Sequence, residues 1–215
     1  MRTLFTFAAL SALAVAASAQ AVIESSTFDS DADNWFKVGS DTVTYSATGG
    51  NPDGHMAFQD DQSGQTDLVN ETQFAGDYAS WQVTGLVFDH IVKDKGDGFE
   101  NYLPYRVVLS GGGNQATWQA VTTSDAFVGL WETVNVPIDV TSAGADWTVN
   151  SGTWAGLMSN VERVAIRMEL VTSEIHNGTD QEGLDNIKLE AVPEPATMLA
   201  LGAGLAALAA RRRKK

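Results

Sequence analysis

Apolar and polar residues alternate in short runs from about residue 22 to residue 189. A period of two is what a strand with one buried face requires, because successive side chains point to opposite sides. Thr42–Ser46 alternates with β-branched and aromatic residues, and Trp81–Ile91 begins with clean alternation. Tyr105–Leu109, Thr117–Val121 and Trp131–Ile138 repeat the pattern. Val164–Val171 places Ile166, Met168 and Leu170 on one face, Leu184–Leu189 forms the last run, and Val22–Phe28 is the expected first strand. Gly- and Asp-rich turns separate the runs, and Gly111-Gly112-Gly113-Asn114 reads as a hairpin turn. Only Trp154–Asn160 predicts a helix, and a short one. Many strands, frequent turn signals and little helix predict an all-β fold, an antiparallel β-sandwich of jelly-roll type. First and last strands often lie close together in such folds.

The two ends break the pattern. Met1-Arg2, the apolar run Leu4–Ala17 and the small-residue step Ala17-Ser18-Ala19 describe a secretory signal peptide over 1–19, with cleavage after Ala19 or after Ala21. At the other end, Pro193-Glu194-Pro195 precedes an apolar segment, 196–210, and the basic cluster 211–215. That segment predicts a short transmembrane helix, below the roughly 20 residues that span a bilayer comfortably. The basic cluster would stop on the cytoplasmic side.

The order Pro193-Glu194-Pro195, short helix, basic cluster resembles the PEP-CTERM sorting signal, here 192–215. The resemblance implies export across the inner membrane of a Gram-negative bacterium. It also implies a membrane-anchored intermediate and an exosortase partner that cleaves at or near Pro193, Glu194 and Pro195. The cell surface or extracellular matrix is then the destination, with exopolysaccharide and biofilm as the setting.

Composition narrows the chemistry of the domain between the tails, 20–191. There is no cysteine, which excludes thiol catalysis, thiolate metal sites and disulfide staples. Of the 13 Lys and Arg residues, Arg2 and the basic cluster lie in the tails; of the 27 acidic residues only Glu194 does. The domain therefore carries 7 basic and 26 acidic residues, a formal charge of −19, against −14 for the whole chain. Such a field disfavours nucleic acid and anionic lipid and favours bound cations. His55, His90 and His176 are scattered, without metal-ligand spacing. No Gly-x-Ser-x-Gly, phosphate loop or dinucleotide fingerprint occurs. Acid pairs such as Asp60-Asp61 are abundant, but glycoside hydrolysis needs two carboxylates set across a sugar.

Asp29-Ser30-Asp31-Ala32-Asp33-Asn34 has acids at alternate positions, as calcium loops do, or as a solvated Asx-turn loop does. Asn34 and Ser40 stand where an EF-hand needs Gly and Glu, so it is not one. Among the tryptophans, Trp118 between Thr117 and Gln119, and Trp147 beside Asp146, read as exposed platforms for a sugar ring. Trp81 and Trp131, which open apolar runs, read as core.

Phe28-Asp29 with Asp33-Asn34-Trp35, the Trp81 and Trp131 strands, Tyr105–Gly111, Val161–Arg167 and the closing Gly183-Leu184-Asp185-Asn186-Ile187-Lys188-Leu189 resemble a laminin B (laminin IV type A) domain. They are also similar to carbohydrate-binding jelly rolls. That resemblance implies a structural calcium ion held by Asp185, with Asp29 and Asp53 as companions. It implies non-catalytic binding of polysaccharide or another matrix component. A jelly-roll lyase or hydrolase, and a purely structural matrix protein, are the alternatives.

Overall fold

A computed structural model describes residues 20–192, apart from 63, 174 and the side chain at 121. The signal peptide, the motif Pro193-Glu194-Pro195, the apolar segment and the basic cluster lie outside the described residues. Within those residues no helix is long and apolar enough to cross a membrane.

Strands are numbered in chain order. One six-stranded sheet runs β10 (Glu132–Pro137), β6 (Val83–Lys95), β14 (Asp180–Ala191), β4 (His55–Gln59), β3 (Thr42–Ser46), with β1 (Ala21–Ser26) also on β14. The other runs β11 (Trp147–Ser151), β9 (Asn114–Thr122), β8 (Pro104–Gly111), β12 (Arg163–Arg167), β5 (Asp67–Asn70), β2 (Phe36–Val38). β7 (Phe99–Tyr102) and β13 (Val171–Ser173) form a small separate ribbon. Every pairing within the three sheets is antiparallel.

The alternation anticipated in the sequence does the sorting. β8 buries Tyr105, Val107 and Leu109 and turns Arg106, Val108 and Ser110 outward. Phe58, Leu86, Phe88 and Leu184 of the first sheet meet Leu68, Val107, Leu109 and Ile166 of the second in one core. This is the antiparallel sandwich the pattern predicts, and β1 does lie beside the last strand. The hairpin at Gly112 and Gly113 has φ of 56° and 78°, values that a residue with a Cβ rarely adopts.

β14 holds the first sheet together. β6 pairs along its whole length on one side, while β4 and β1 share the other, end to end. A bulge interrupts β14 between Asp185 and Lys188, where Asn186 sits at φ 50°. The extra residue switches the alternation. Leu184 before the bulge and Ile187 and Leu189 after it all reach the core.

The tryptophans reverse the sequence expectation. Trp118 and Trp147 are 3% and 6% exposed, directly paired across β9 and β11. Trp81 is 37% exposed. It ends a short helix, α1 (Tyr78–Trp81), capped by the Asp77 carboxylate, so β6 starts at Val83 and not at Trp81. Trp131 is only partly buried, edge-on to His55. The reason is geometric: polar neighbours at i−1 and i+1 of a strand residue lie on the opposite face. Thr117 and Gln119 therefore mark Trp118 as inward. Trp147 is fixed further by Nε1 donating to the Pro137 carbonyl at 2.8 Å and by Trp154 at 5.2 Å between centroids. Trp154 opens the helix α2 (Trp154–Ser159), close to the expected span.

The start of β14 buries acids. Both carboxylate oxygens of Asp180, 1% exposed, lack hydrogen-bond partners. Burial, then Glu182, Asp60 and Glu169, push its pKa up to about 9. Glu182 is fully buried. Its Oε1 accepts from the N–H groups of Leu170 and Val171 at 2.7 and 3.1 Å. Burial raises Glu182 well above the carboxylate range and lowers His90 to about 4. Burial thus disfavours the charged form on both sides of their 2.9 Å contact. Asp60 meets Nδ1 of His176 at 2.8 Å, and Glu169 is raised to about 7, chiefly by burial.

Two outcomes follow from this core. Trp118→Ala removes a buried indole and should cost about 3–5 kcal/mol in denaturant unfolding, whereas exposed Trp81→Ala should cost about 1 kcal/mol. Equal costs would contradict the burial pattern. The second concerns pH. An acid whose folded pKa is raised keeps a proton that the unfolded chain has already lost, so stability falls as pH rises towards the folded value. For Glu169 and Asp180 those values are about 7 and about 9. His55 and His90, lowered to about 4, affect stability only below the ordinary histidine value of 6.5. Melting temperature should thus decline from about pH 7 to about pH 9, and Asp180→Asn should flatten the decline.

Candidate functional site

The inner face of the second sheet is committed to the core; its outer face is not. Directly opposed residues of antiparallel strands share a face, so the register defines rows across it. One row reads Phe36, Val69, Ala165, Val108, Thr117 from β2 to β9. A second reads Arg163, Ser110, Gln115, and a third Val38, Asp67, Arg167.

These rows enclose a groove of about 370 Å³. Val108 and Ala165 supply its apolar floor; Gln65, Asp67, Arg106, Ser110, Gln115, Thr117 and Arg163 surround it with polar groups. At the edge, on the same face, Phe36 is 43% exposed. An edge strand of three residues leaves that ring unpacked on one side.

The charged groups are tied into fixed positions. Nη2 of Arg106 donates to both oxygens of Asp67 at 2.6 and 2.7 Å. Nη1 donates to Oε1 of Gln65 at 2.7 Å. The same Gln65 oxygen accepts from Nη2 of Arg167 at 3.1 Å, and the Pro104 carbonyl takes Nη1 at 3.2 Å. Burial and the Arg106 charge lower the Arg167 pKa, though a guanidinium stays protonated. Arg163 is freer: its nearest acid, Glu71, is 3.7 Å away. Asp67 is the one carboxylate lining the groove, and Arg106 occupies both its oxygens.

The residues singled out in the sequence lie elsewhere. Trp118 and Trp147 are core residues and offer no open ring face; an edge of Trp118 lines a second depression of about 340 Å³ with Tyr105, Glu132 and Asp146. Asp185 is buried beside the 50–54 loop, where Oδ2 accepts from Asn51 N–H at 2.5 Å and Oδ1 from Asn186 N–H at 2.6 Å. Burial raises its pKa to about 6, those two bonds oppose the rise, and Asp89 and Asp29 add repulsion. Asp29 is exposed and accepts from Thr27 Oγ1. Asp53 is exposed at φ 65°, and its carbonyl closes a turn with Gly50 N–H. The expected trio does not converge as a ligand set: among the described residues no three His, Cys, Asp or Glu side chains are grouped to hold a metal ion. Asp31 and Asp33 instead bond the backbone of their own loop, as an Asx-turn does.

Sequence reading passed over Phe36 and the three arginines. Their signal was present: Arg163 and Arg167 are four apart on one strand, hence on one face, and Phe36 follows the inward Trp35.

No curated protein shows significant sequence similarity to the chain. Among solved structures it is similar to the C-terminal family 22 carbohydrate binding module of Clostridium thermocellum Xyn10B. The TM-score is 0.51 at 9% identity, covering 80% of this chain and 92% of that one. An exo-β-agarase gives a TM-score of 0.51 at 14% identity over 78% of this chain and 24% of the enzyme. The L4b domain of human laminin α-2 gives 0.48 at 11%, over 65% and 80%. At such identities the likeness shows the fold alone, a jelly-roll sandwich. The family of the PEP-CTERM protein-sorting motif matches residues 191–214. The chain thus carries a PEP-CTERM sorting motif, which implies export and exosortase processing, behind an antiparallel β-sandwich of jelly-roll type.

Proposed function

We propose that the exported domain binds extracellular polysaccharide along the outer face of its second sheet, without catalysis, in the matrix to which the sorting motif delivers it. The observation that carries this reading is the groove. It is open, about 370 Å³, with a narrow apolar floor and fixed donors and acceptors on both sides. Gln115, Thr117 and Ser110 match sugar hydroxyls, and Phe36 supplies at the edge the ring face that Trp118 and Trp147 do not. A general acid and a base set across a sugar are what hydrolysis would add; Asp67, held by Arg106, is unsuited to either role.

Calcium is proposed beside Asp185. Asp89 and Asp29 raise the Asp185 pKa by repulsion, a gathering of negative charge that a hard cation bound through oxygen would relieve.

Affinity electrophoresis of the purified protein through neutral and charged polysaccharides should show retardation by at least one polymer. Phe36→Ala and Gln115→Ala should weaken it about tenfold each, a loss of about 1.4 kcal/mol, with melting temperature unchanged. Release of reducing ends or unsaturated products would overturn the non-catalytic part. Millimolar calcium should raise the melting temperature after EDTA treatment, and Asp185→Asn should abolish the gain; no shift in the wild type would exclude the ion.

A further inference from the structure

The domain has 7 basic residues against 26 acidic ones, and Arg106, Arg163 and Arg167 are its only arginines. All three stand on β8 and β12, on the outer face that forms the groove. The four lysines, Lys37, Lys93, Lys95 and Lys188, lie outside the groove lining. Asp67 offsets the charge of Arg106 and Glu71 stands 3.7 Å from Arg163, and the groove lining itself holds two arginines against one carboxylate within a domain of strong negative charge.

Stability does not account for the clustering. Arg106 and Arg167 each bury Nε without a partner, which disfavours the folded state. Burial and then the charge of Arg106 work against the charged form of Arg167, and Asp67 and Glu169 only partly oppose them. Like charges held side by side and partly out of water are tolerated where an anion neutralises them. We infer that the polysaccharide this groove takes is an anionic one, bearing carboxylate or sulfate groups that the arginine face recognises. The inference rests on the binding function proposed above and names its substrate class.

The spacing adds a constraint. Arg163 and Arg167 are four residues apart on one strand, hence about 13 Å. Arg106 stands with Arg167 at one end, bonded to the same Gln65. Two arginine stations so far apart suit a polymer with repeated anionic groups, not a single sugar. The overall charge of −14 does not prevent this. Ions screen distant acids beyond about 8 Å at physiological salt, whereas groups in the groove act at contact.

The test compares polymers matched in backbone. The full chain, purified in detergent, is titrated with hyaluronan and carboxyl-reduced hyaluronan, and with dextran sulfate and dextran. The expected result is a preference of about tenfold or more for the charged member of at least one pair. The pair that shows it identifies carboxylate or sulfate. Arg163→Gln should reduce that preference to less than about threefold at unchanged melting temperature, and Arg163→Lys should restore part of it. Equal affinity within both pairs, with the neutral polymers bound, overturns the anionic assignment and leaves polysaccharide binding standing. A preference that survives in Arg163→Gln overturns the assignment to this face. Absence of binding to every polymer overturns both.

Discussion

The pairing of β14 with β6 is the constraint on which the rest of the sandwich depends. β14 is the last strand, yet it stands in the middle of the first sheet and seats β4 and β1 on its other edge. Its partners come from the start and the middle of the chain, so the sheet cannot close until the final strand is in place. Contacts of such sequence separation are slow to form, because loop-closure entropy precedes their reward. The bulge at Asn186 is what allows one strand to serve two partners. Without its switch of alternation, Ile187 and Leu189 would turn to solvent and Leu184 alone would face the core. The same bulge presses Asp185 against the 50–54 loop. A Cβ at Gly50 would lie 2.8 Å from its Oδ2, so only a bare backbone fits there.

Much of this architecture is legible in the sequence because period-two alternation is a local property. β8, β9, β10, β14 and the hairpin at Gly112-Gly113 are readable from their own residues. What escapes are elements defined by their neighbours. β4 reads His55-Met56-Ala57-Phe58-Gln59, with three consecutive members buried or nearly so, because β14 and β3 flank it on both sides. β2 is three exposed residues whose strand state comes wholly from pairing with β5. The tryptophans show a different failure. Polar flanks suggest exposure for an isolated residue, but in a strand they indicate the reverse. Which acids stand near Asp185 is a tertiary matter that spacing does not reveal: Asp89, from the neighbouring strand, acts on it along with Asp29.

Electrostatics divides along the same lines as packing. Burial is the largest influence on the acids at the start of β14 and raises the pKa of both Asp180 and Glu182. The arginines do the opposite, standing together on an outer sheet face that does not pack into the core. Residues 105, 107 and 109 are chosen by the core, while 106, 108 and 110 are free to be chosen by something else.

The Arg106–Asp67 pair bears on the binding function proposed for that face. The two side chains are 17% and 19% exposed, in a bidentate contact that spans from β8 to β5 across β12. Taking both charges largely out of water offsets most of their attraction, so apolar residues at these positions would hold the strands about as well. Geometry is the difference. The pair fixes the plane of the Arg106 guanidinium, and through Gln65 it also fixes that of Arg167. Long side chains locked before a ligand arrives lose little freedom when it binds, and that saved entropy appears as affinity. A salt bridge of small worth to folding would thus be of direct worth to the binding groove proposed above, where Asp67 would hold the arginines rather than meet the ligand.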